Sequence, residues 1–152
     1  LIASLAEYDP AMPASAQLRL TESLAERIRT EIRRPKLDDQ IVKSIIFRGE
    51  TSGRIALFLT AGGNRVDADL ASALAREPLG RADADQVRAE TGFAIGGVAP
   101  VGHLSPVPTW ADPRLLDFPL VWAAAGTPQH IFAVAPETLV RITGATVAPF
   151  AV

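Results

Sequence analysis

The sequence contains no cysteine and only two histidines among its 152 residues. The absence of thiols excludes disulfide bonds, thiolate metal sites and a cysteine nucleophile. The two histidines, His103 and His130, are possible acid–base groups, but a lone histidine is more often structural. They leave little material for a zinc site or a histidine-based catalytic triad. Any chemistry must therefore come from other groups, and we expect neither a metal nor a cofactor.

Long apolar runs and an excess of positive charge are also missing. No run approaches the roughly 20 apolar residues that span a bilayer, and the first residues do not have the pattern of a signal peptide. We therefore expect a cytoplasmic protein without a membrane partner. The net charge of −2 has the wrong sign for a protein that coats nucleic acid, so any contact with nucleic acid must be local.

The length and composition fit one compact domain, because 48% of the residues are hydrophobic and 21% are charged. We interpret residues 1–20 as an N-terminal arm, since they are weakly patterned and contain two prolines. Residues 21–152 are predicted to form the single domain. The hydrophobic spacing predicts an amphipathic helix at its start, which ends at Pro35.

This first helix carries most of the local positive charge. Five basic residues face a single acid, Glu31, which gives a balance of +4 over residues 27–36. The basic residues are Arg27, Arg29, Arg33, Arg34 and Lys36. The cluster is the best candidate for contacts with phosphate groups. A solvated helix face explains it equally simply, and that alternative stays open.

The remaining pattern mixes short strands and short helices. Residues 41–48 and 54–60 predict a β-hairpin, and further strands are expected at 79–82, 120–125, 131–135 and 145–150. Asp67 and Asp83 are suited to cap two helices, and Pro136 is suited to begin a third. Because the helices and strands do not alternate regularly, the pattern favours an α+β domain built on a mixed sheet.

Lys43 is unusual in a chain that has 13 arginines and two lysines. Strand alternation places it on the same face as Ile41, Ile45 and Phe47, which is otherwise apolar. A lysine there can direct its ammonium into a cleft, where it would attract a phosphate or a developing oxyanion. It can also guard a sheet edge against aggregation. The pattern alone leaves both interpretations open.

A glycine-rich loop at residues 96–102 follows the predicted helix that Asp83 caps. Glycines allow the backbone to approach a ligand closely, and exposed N–H groups can stabilise an oxyanion. The loop is not a phosphate-binding P-loop, because the lysine and hydroxyl residue that would follow the last glycine are missing. A tight turn beneath a strand is the structural alternative. The small residues 123–126 can likewise be explained in two ways, as a buried strand or as the wall of a small pocket. Trp110 and Trp122 are expected in the core.

Four ordered stretches together resemble a known family. They are residues 40–47, 61–67, 81–102 and 122–128, and their order is much more specific than any one motif. With them the chain resembles the YbaK/ProX-type aminoacyl-tRNA deacylases, which are related to the editing domain of bacterial prolyl-tRNA synthetase. The resemblance implies a mixed, strongly curved sheet flanked by helices. It also implies hydrolysis of the ester between a noncognate amino acid and the tRNA 3′ adenosine.

The resemblance also implies the site residues. The signature lysine of the family matches Lys43, which would engage the phosphate of the terminal nucleotide, and the G-x-x-x-P loop would position the aminoacyl carbonyl. The loop residues are Gly96, Gly97, Val98, Ala99 and Pro100. The predicted substrate-binding residues are Ser44, Asn64, Ala124, Ala125 and Gly126.

The resemblance implies a partner and, more loosely, a substrate. The partner is the CCA end and acceptor stem of an aminoacyl-tRNA, with prolyl-tRNA synthetase as a further candidate. Members that act on cysteinyl-tRNA have serine-glycine-glycine where this chain has Ala124, Ala125 and Gly126. This departure favours an aliphatic side chain such as that of alanine or 2-aminobutyrate. The alternative function is a non-catalytic module that binds tRNA or a synthetase.

Overall fold

The computed structural model describes residues 38–152. The predicted arm and the basic helix lie outside the described residues. Within residues 38–152, seven strands form one sheet, and three α-helices accompany it. The sheet is curved and does not close into a barrel, so the predicted α+β class is confirmed. None of the helices in this part of the chain is long and apolar enough to cross a membrane.

The strands follow the order β6-β5-β1-β2-β4-β7, and β3 pairs with β1 outside this path. The strands are β1 (Ile41–Gly49), β2 (Ile55–Ala61), β3 (Leu79–Arg81), β4 (Thr109–Ala111), β5 (Val121–Ala124), β6 (Ile131–Val134) and β7 (Thr146–Val147). The helices are α1 (Ala68–Ala75), α2 (Ala84–Thr91) and α3 (Pro136–Thr143). Short 3₁₀ helices occupy Asp38–Gln40 and Pro113–Asp117.

The predicted hairpin of β1 and β2 is confirmed. Their antiparallel register runs from the pair Val42 and Ala61 to the pair Arg48 and Ile55. Every residue of β2 is buried, as expected for a strand with core on both faces. The two faces of β1 also enter different clusters: Ile46 packs against one hydrophobic cluster and Ile45 against another. The hairpin is therefore the centre of the domain.

Parallel pairings join the hairpin to the second half of the chain. β5 pairs in parallel with β1, and β4 pairs in parallel with β2 and with β7. β1 with β3 and β5 with β6 are antiparallel, so the predicted mixed sheet is confirmed. Parallel neighbours need long connections, which here include α2 and the loop that follows it.

The predicted helix boundaries are confirmed by their caps. The carboxylate of Asp67 accepts hydrogen bonds from the backbone of Asp69 and Leu70, both at 3.0 Å. Asp83 caps α2 in the same manner, and Gly92 ends it in a left-handed conformation with φ of +83°. Pro136 occupies the first turn of α3, where its missing N–H has no cost.

The closing strand was predicted too long. The strand expected at 145–150 is only the two residues of β7, followed by an isolated bridge between Val66 and Ala151. The segment before β4 contains Pro106 and Pro108, which have no N–H to donate to a strand ladder, so the chain enters the sheet only at Thr109. The 3₁₀ helix Pro113–Asp117 was not predicted.

The aromatic core lies on the face of the sheet that also carries Lys43. Phe58 is fully buried and stacks on Trp110, with ring centroids 5.0 Å apart. Phe150 and Phe47 meet the same ring edge-on at 4.9 Å and 5.7 Å. Both tryptophans are core residues as predicted, since Trp122 is only 6% exposed.

One carboxylate holds the turn between β1 and β2. Glu77 accepts hydrogen bonds from the backbone of Thr51 at 3.0 Å and of Ser52 at 2.8 Å, and from the Ser52 hydroxyl at 2.7 Å. The Ser52 backbone and hydroxyl donors, followed by the Thr51 donor and the charge of Arg54, hold the pKa of Glu77 below its usual value. These bonds stabilise the hairpin only while the carboxylate is ionised.

We predict that Glu77→Gln lowers the stability of the fold at neutral pH and has little effect in acid. A lowered folded-state pKa contributes stability above the unfolded-state pKa, and this contribution disappears as the pH falls through the folded-state pKa. Urea unfolding at about pH 7 and about pH 3.5 measures the difference between variant and wild type. The control is Glu50→Gln, which neutralises an exposed carboxylate of the same turn. An equal loss of stability at both pH values would contradict the prediction.

Candidate functional site

Lys43 lies in an interior strand of the sheet. β1 has β2 on one flank, and β3 and β5 on the other, so β1 as a whole is not an edge strand of the sheet. The side chain is half-buried and shares its face with Ile45 and Phe47, as predicted. A half-buried ammonium on an apolar face of a central strand must be held by polar groups or directed at a ligand.

The flank of β1 beside Lys43 is where the sheet splits. Pairing with β5 stops at Val42, and pairing with β3 begins only at Phe47. Residues 43–46 therefore have a strand partner on the β2 flank alone, among the strands of the described residues. Backbone and side chains at such a split are available to loops and ligands rather than to another strand.

The small-residue segment lies beside this split. β5 runs parallel to β1, with Val42 opposite Ala123, so the chain leaves β5 at Ala124 on the level of Lys43. The following turn is closed by a hydrogen bond of 2.9 Å from the Ala125 N–H to the carbonyl of His130. The predicted segment Ala124 to Gly126 is thus a strand end and turn next to Lys43.

The glycine-rich loop packs directly on that turn. A Cβ on Gly97 would lie 2.7 Å from the carbonyl carbon of Thr127, so only glycine allows this approach of two backbones. Gly96 is exposed, with φ of +96° and no atom within 4 Å of the position of a Cβ. Position 96 requires glycine because of its backbone conformation. Position 97 requires glycine because of its close contact with the backbone of Thr127.

The rest of the loop is anchored inward. Val98 and Ala99 are 4% and 6% exposed, and Pro100 is buried. The Nε2–H of His103 donates to the carbonyl of Ala99 at 2.7 Å, which holds the end of the loop. Structural anchoring is therefore the role that the geometry gives to His103.

Phe93 joins the start of the loop to the turn. Its ring is packed so closely on Gly126 that a Cβ there would lie 3.1 Å away, and it meets the ring of His103 edge-on. The structure therefore brings the predicted loop and the predicted small-residue segment together as one packed unit. This unit lies beside the strand that carries Lys43.

Lys43 itself is held by a neutral group. Its ammonium donates a hydrogen bond to the backbone carbonyl of Asn64, in the turn that follows β2. The side-chain amide of Asn64 donates to Asp112 at 2.9 Å. The backbone carbonyl and the side-chain NH₂ group of Asn64 are thus engaged within the protein, and its predicted contact with substrate stays a prediction.

Sequence reasoning did not identify Asp112 as part of this region. Its carboxylate is 4% exposed and accepts hydrogen bonds from the backbone of Ala61 at 3.2 Å and of Arg114 at 2.9 Å, besides the Asn64 amide. Asp112 is one of few charged residues in the apolar second half of the chain. A lone acid directly before Pro113 could have indicated a buried, fully bonded carboxylate.

Two buried polar atoms near the split have no hydrogen-bond partner in the described part of the chain. They are the hydroxyl of Ser44 and Nε2 of His130. Buried polar groups are normally paired, so both are candidates for contact with a ligand. The Nδ1 atom of His130 is bonded to the Thr127 hydroxyl. By strand alternation, Ser44 lies on the opposite face of β1 from Lys43, so the structure does not bring these two side chains together.

The comparisons agree with this architecture. The curved, unclosed mixed sheet with three helices matches the fold of α+β trans-editing domains, and residues 21–142 match the family model of the aminoacyl-tRNA editing domain. This chain belongs to the aminoacyl-tRNA editing domain family, which confirms the resemblance recognised from its motifs.

Solved structures support the family. One is described as a "putative trans-editing enzyme for prolyl tRNA synthetase"; it is 44% identical, with 91% of this chain and 82% of that chain covered and a TM-score of 0.73. A structure from work on epitope grafting onto scaffold proteins is also 44% identical, with coverages of 82% and 78% and a TM-score of 0.73. A structure described as a hypothetical protein is 26% identical, with coverages of 84% and 83% and a TM-score of 0.72.

We predict that alanine at Gly97 displaces the loop from the turn, whereas alanine at Gly96 does not. Gly97→Ala forces the backbone of Thr127 to move, at a cost of about 1–3 kcal/mol. Gly96→Ala meets open space and imposes only the strain of a positive φ. Urea unfolding gives the stability, and amide chemical shifts of Gly126 and Thr127 give the displacement.

Gly144→Ala is the matched control for the strain that alanine experiences at a positive φ. Gly144 also has a positive φ, +64°, with nothing within 4 Å of a Cβ, and it lies at the end of α3. Gly96→Ala should resemble this control in stability and leave the shifts at Thr127 unchanged. Equal shift changes at Thr127 in Gly96→Ala and Gly97→Ala would contradict the assigned contact.

Proposed function

We propose that this protein is a trans-editing hydrolase that deacylates mischarged tRNA, with tRNA for proline bearing a small amino acid as its substrate. The amino acids in question are alanine, 2-aminobutyrate and cysteine. The family and the relative described as a trans-editing enzyme for prolyl-tRNA synthetase support the proposal. The observation that carries it is the location of Lys43 beside the split in the sheet, next to the packed loop and turn.

Lys43 supplies charge rather than a nucleophile in this proposal. An ammonium has three donors, and only one of them is used by the carbonyl of Asn64. The remaining donors bind the phosphate of the terminal nucleotide. Because the carbonyl of Asn64 carries no net charge, it does not offset the positive charge with which the ammonium attracts a phosphate of the tRNA.

The loop positions the ester for attack by water. The backbone N–H of Gly96 lies where no side chain obstructs it, and it holds the aminoacyl carbonyl as its oxygen gains negative charge. The N–H of Gly97 donates to the carbonyl of Ala94 at 3.1 Å, so Gly97 shapes the loop and does not contact the ester. A water molecule adds to the carbonyl carbon, the ester bond breaks, and the ribose oxygen leaves with a proton. The products are the free amino acid and intact tRNA. Orientation and electrostatics supply the catalysis, so this step requires no metal and no covalent intermediate with the protein.

The turn at Ala124 to Gly126 lines the pocket for the amino-acid side chain. Ala124 is half-buried and Gly126 is covered by the ring of Phe93, so this wall is small and apolar. A wall of this kind distinguishes neighbouring aliphatic side chains by only about 1–3 kcal/mol per methylene. Such weak discrimination during charging is the reason that a separate hydrolytic step is useful.

The first test is release of the amino acid from tRNA for proline charged with alanine, 2-aminobutyrate or cysteine. We expect hydrolysis by the wild-type protein at enzyme concentrations well below those of the substrate. Saturable, salt-sensitive binding without hydrolysis would instead indicate a non-catalytic tRNA-binding module. A folded protein that releases none of the three amino acids contradicts the proposed function.

We predict that Lys43→Ala lowers kcat/KM for deacylation by about 10² to 10³, because the charge-assisted bonds to the phosphate and the orientation of the ester are lost together. Lys43→Arg keeps the charge but changes the shape of the donor, so it should recover only part of the activity. Arg141→Ala is the control, because it removes one exposed positive charge from α3. Activity of Lys43→Ala equal to that of wild type would contradict the assignment of Lys43.

We predict that the wild type prefers alanyl and 2-aminobutyryl esters to cysteinyl esters, and that Ala124→Ser reduces this preference. A hydroxyl in the wall of the pocket disfavours an aliphatic side chain, with an expected change of about 3- to 30-fold in the ratio of kcat/KM values. The control is Ala89→Ser on the exposed surface of α2. An unchanged ratio in Ala124→Ser would place the pocket elsewhere.

A further inference from the structure

The turn at residues 61–64 is fastened by two carboxylates from other parts of the chain. Asp112 accepts from the backbone of Ala61 and from the side chain of Asn64, at 3.2 Å and 2.9 Å. Asp39 accepts from the backbone of Gly63 at 3.2 Å. The Asn64 N–H closes the turn on the carbonyl of Ala61 at 2.9 Å. Three backbone donors of one four-residue turn are therefore engaged.

Close packing and an ion pair reinforce this arrangement. A Cβ on Gly62 would lie 2.0 Å from the carbonyl oxygen of Asp38, so the turn fits against the 3₁₀ helix Asp38–Gln40 without room for a side chain. Arg114 binds Asp39 at 2.9 Å, while its own N–H donates to Asp112. Arg114 thus connects the two carboxylates, through its side chain to Asp39 and through its backbone N–H to Asp112.

The carbonyl that holds Lys43 belongs to this turn. Asn64 uses its amide to bind Asp112 and its backbone oxygen to bind the ammonium of Lys43. Asp112 therefore acts on Lys43 through the turn, by its bonds to Ala61 and Asn64, and not by direct contact. A carboxylate in direct contact would neutralise much of the charge of the ammonium, whereas a carbonyl orients it and leaves it available to an anion.

We propose that Asp112 and Asn64 are positioning residues for Lys43: they fix the carbonyl that aims the ammonium into the split of the sheet. The proposal rests on the proposed function for its catalytic consequence. Its structural part, the restraint of Lys43 by the turn, is independent of any activity. The two parts can therefore fail separately.

Lysine NMR tests the structural part on the 152-residue chain. Lys36 and Lys43 are the two lysines of the sequence, so lysine labelled with ¹³C and ¹⁵N gives two side-chain signals, and Lys36→Arg assigns them. We expect a restricted ε-carbon for Lys43 in the wild type. Asn64→Ala should increase the mobility of this carbon, because the turn loses its bond to Asp112. Unchanged mobility in Asn64→Ala would overturn the proposal.

A double-mutant cycle tests the catalytic part. We expect Asn64→Ala to lower kcat for deacylation by about tenfold, because the ammonium is misplaced, and to have much less effect after Lys43 has been replaced by alanine. A general structural role predicts the same fold loss in both backgrounds. Additive losses would overturn the catalytic part of the proposal.

Asp112→Asn gives a second variant of the same network. The side chain of asparagine has one accepting oxygen, and its NH₂ group would face at least one of the N–H donors of Ala61, Asn64 and Arg114. At least one of these bonds is therefore lost, and the same release of Lys43 is expected. Asp117→Asn is the matched control, because it removes an exposed carboxylate that binds Arg114 but has no bond to the turn. If Asp112→Asn does not fold, Asn64→Ala decides the question by itself.

The readouts separate the two proposals. A wild type without deacylase activity contradicts the proposed function, while the NMR comparison still decides whether the turn restrains Lys43. An active wild type in which Asn64→Ala and Asp117→Asn behave alike contradicts the positioning role alone.

Discussion

Seven consecutive residue pairs join β1 to β2, from Val42 with Ala61 to Arg48 with Ile55. This ladder occupies one flank of β1 completely, so β3 and β5 must share the other flank and meet it at opposite ends. The sheet opens between them at residues 43–46. The burial of every β2 residue makes this arrangement rigid, because displacement of the hairpin would expose the core on both faces.

The opening is surrounded by three segments that lie far apart in the sequence. Lys43 comes from the hairpin, the small-residue turn from the end of β5, and the glycine loop from the connection between α2 and β4. Gly97 and Gly126 allow the loop, the turn and Phe93 to pack closely. A charged side chain beside a rigid backbone surface is the arrangement on which the proposed hydrolysis of an aminoacyl ester rests.

Local features of the fold were predictable because their causes are local. Alternation of β-branched residues indicated the hairpin, and Asp67 and Asp83 marked helix starts through bonds that span only a few residues. The length of β4 was not predictable in this way, because it depends on its partners in the sheet. The 3₁₀ helix Pro113–Asp117 went unpredicted because it has too few residues for a periodic pattern.

The candidate site was only partly predictable, and resemblance to a family contributed more than pattern. The pattern identified Lys43 as unusual and left its role open, because a single strand does not show whether it lies at an edge. Asp112 was missed, since its role depends on contacts with Ala61 and Asn64, which lie 51 and 48 positions earlier. No periodicity connects residues at such separations.

The α+β class, the hairpin, the helix caps, the absence of thiol chemistry and the motifs of the editing family all follow from the order of residues along the chain. The interior location of β1, the split of the sheet beside Lys43, and the neutral carbonyl that holds the ammonium became clear from the folded chain alone. Caps and strand alternation are predictable because they depend on neighbouring residues. Parallel pairing, close approach of backbones and burial of a carboxylate depend on segments that meet only when the whole chain folds.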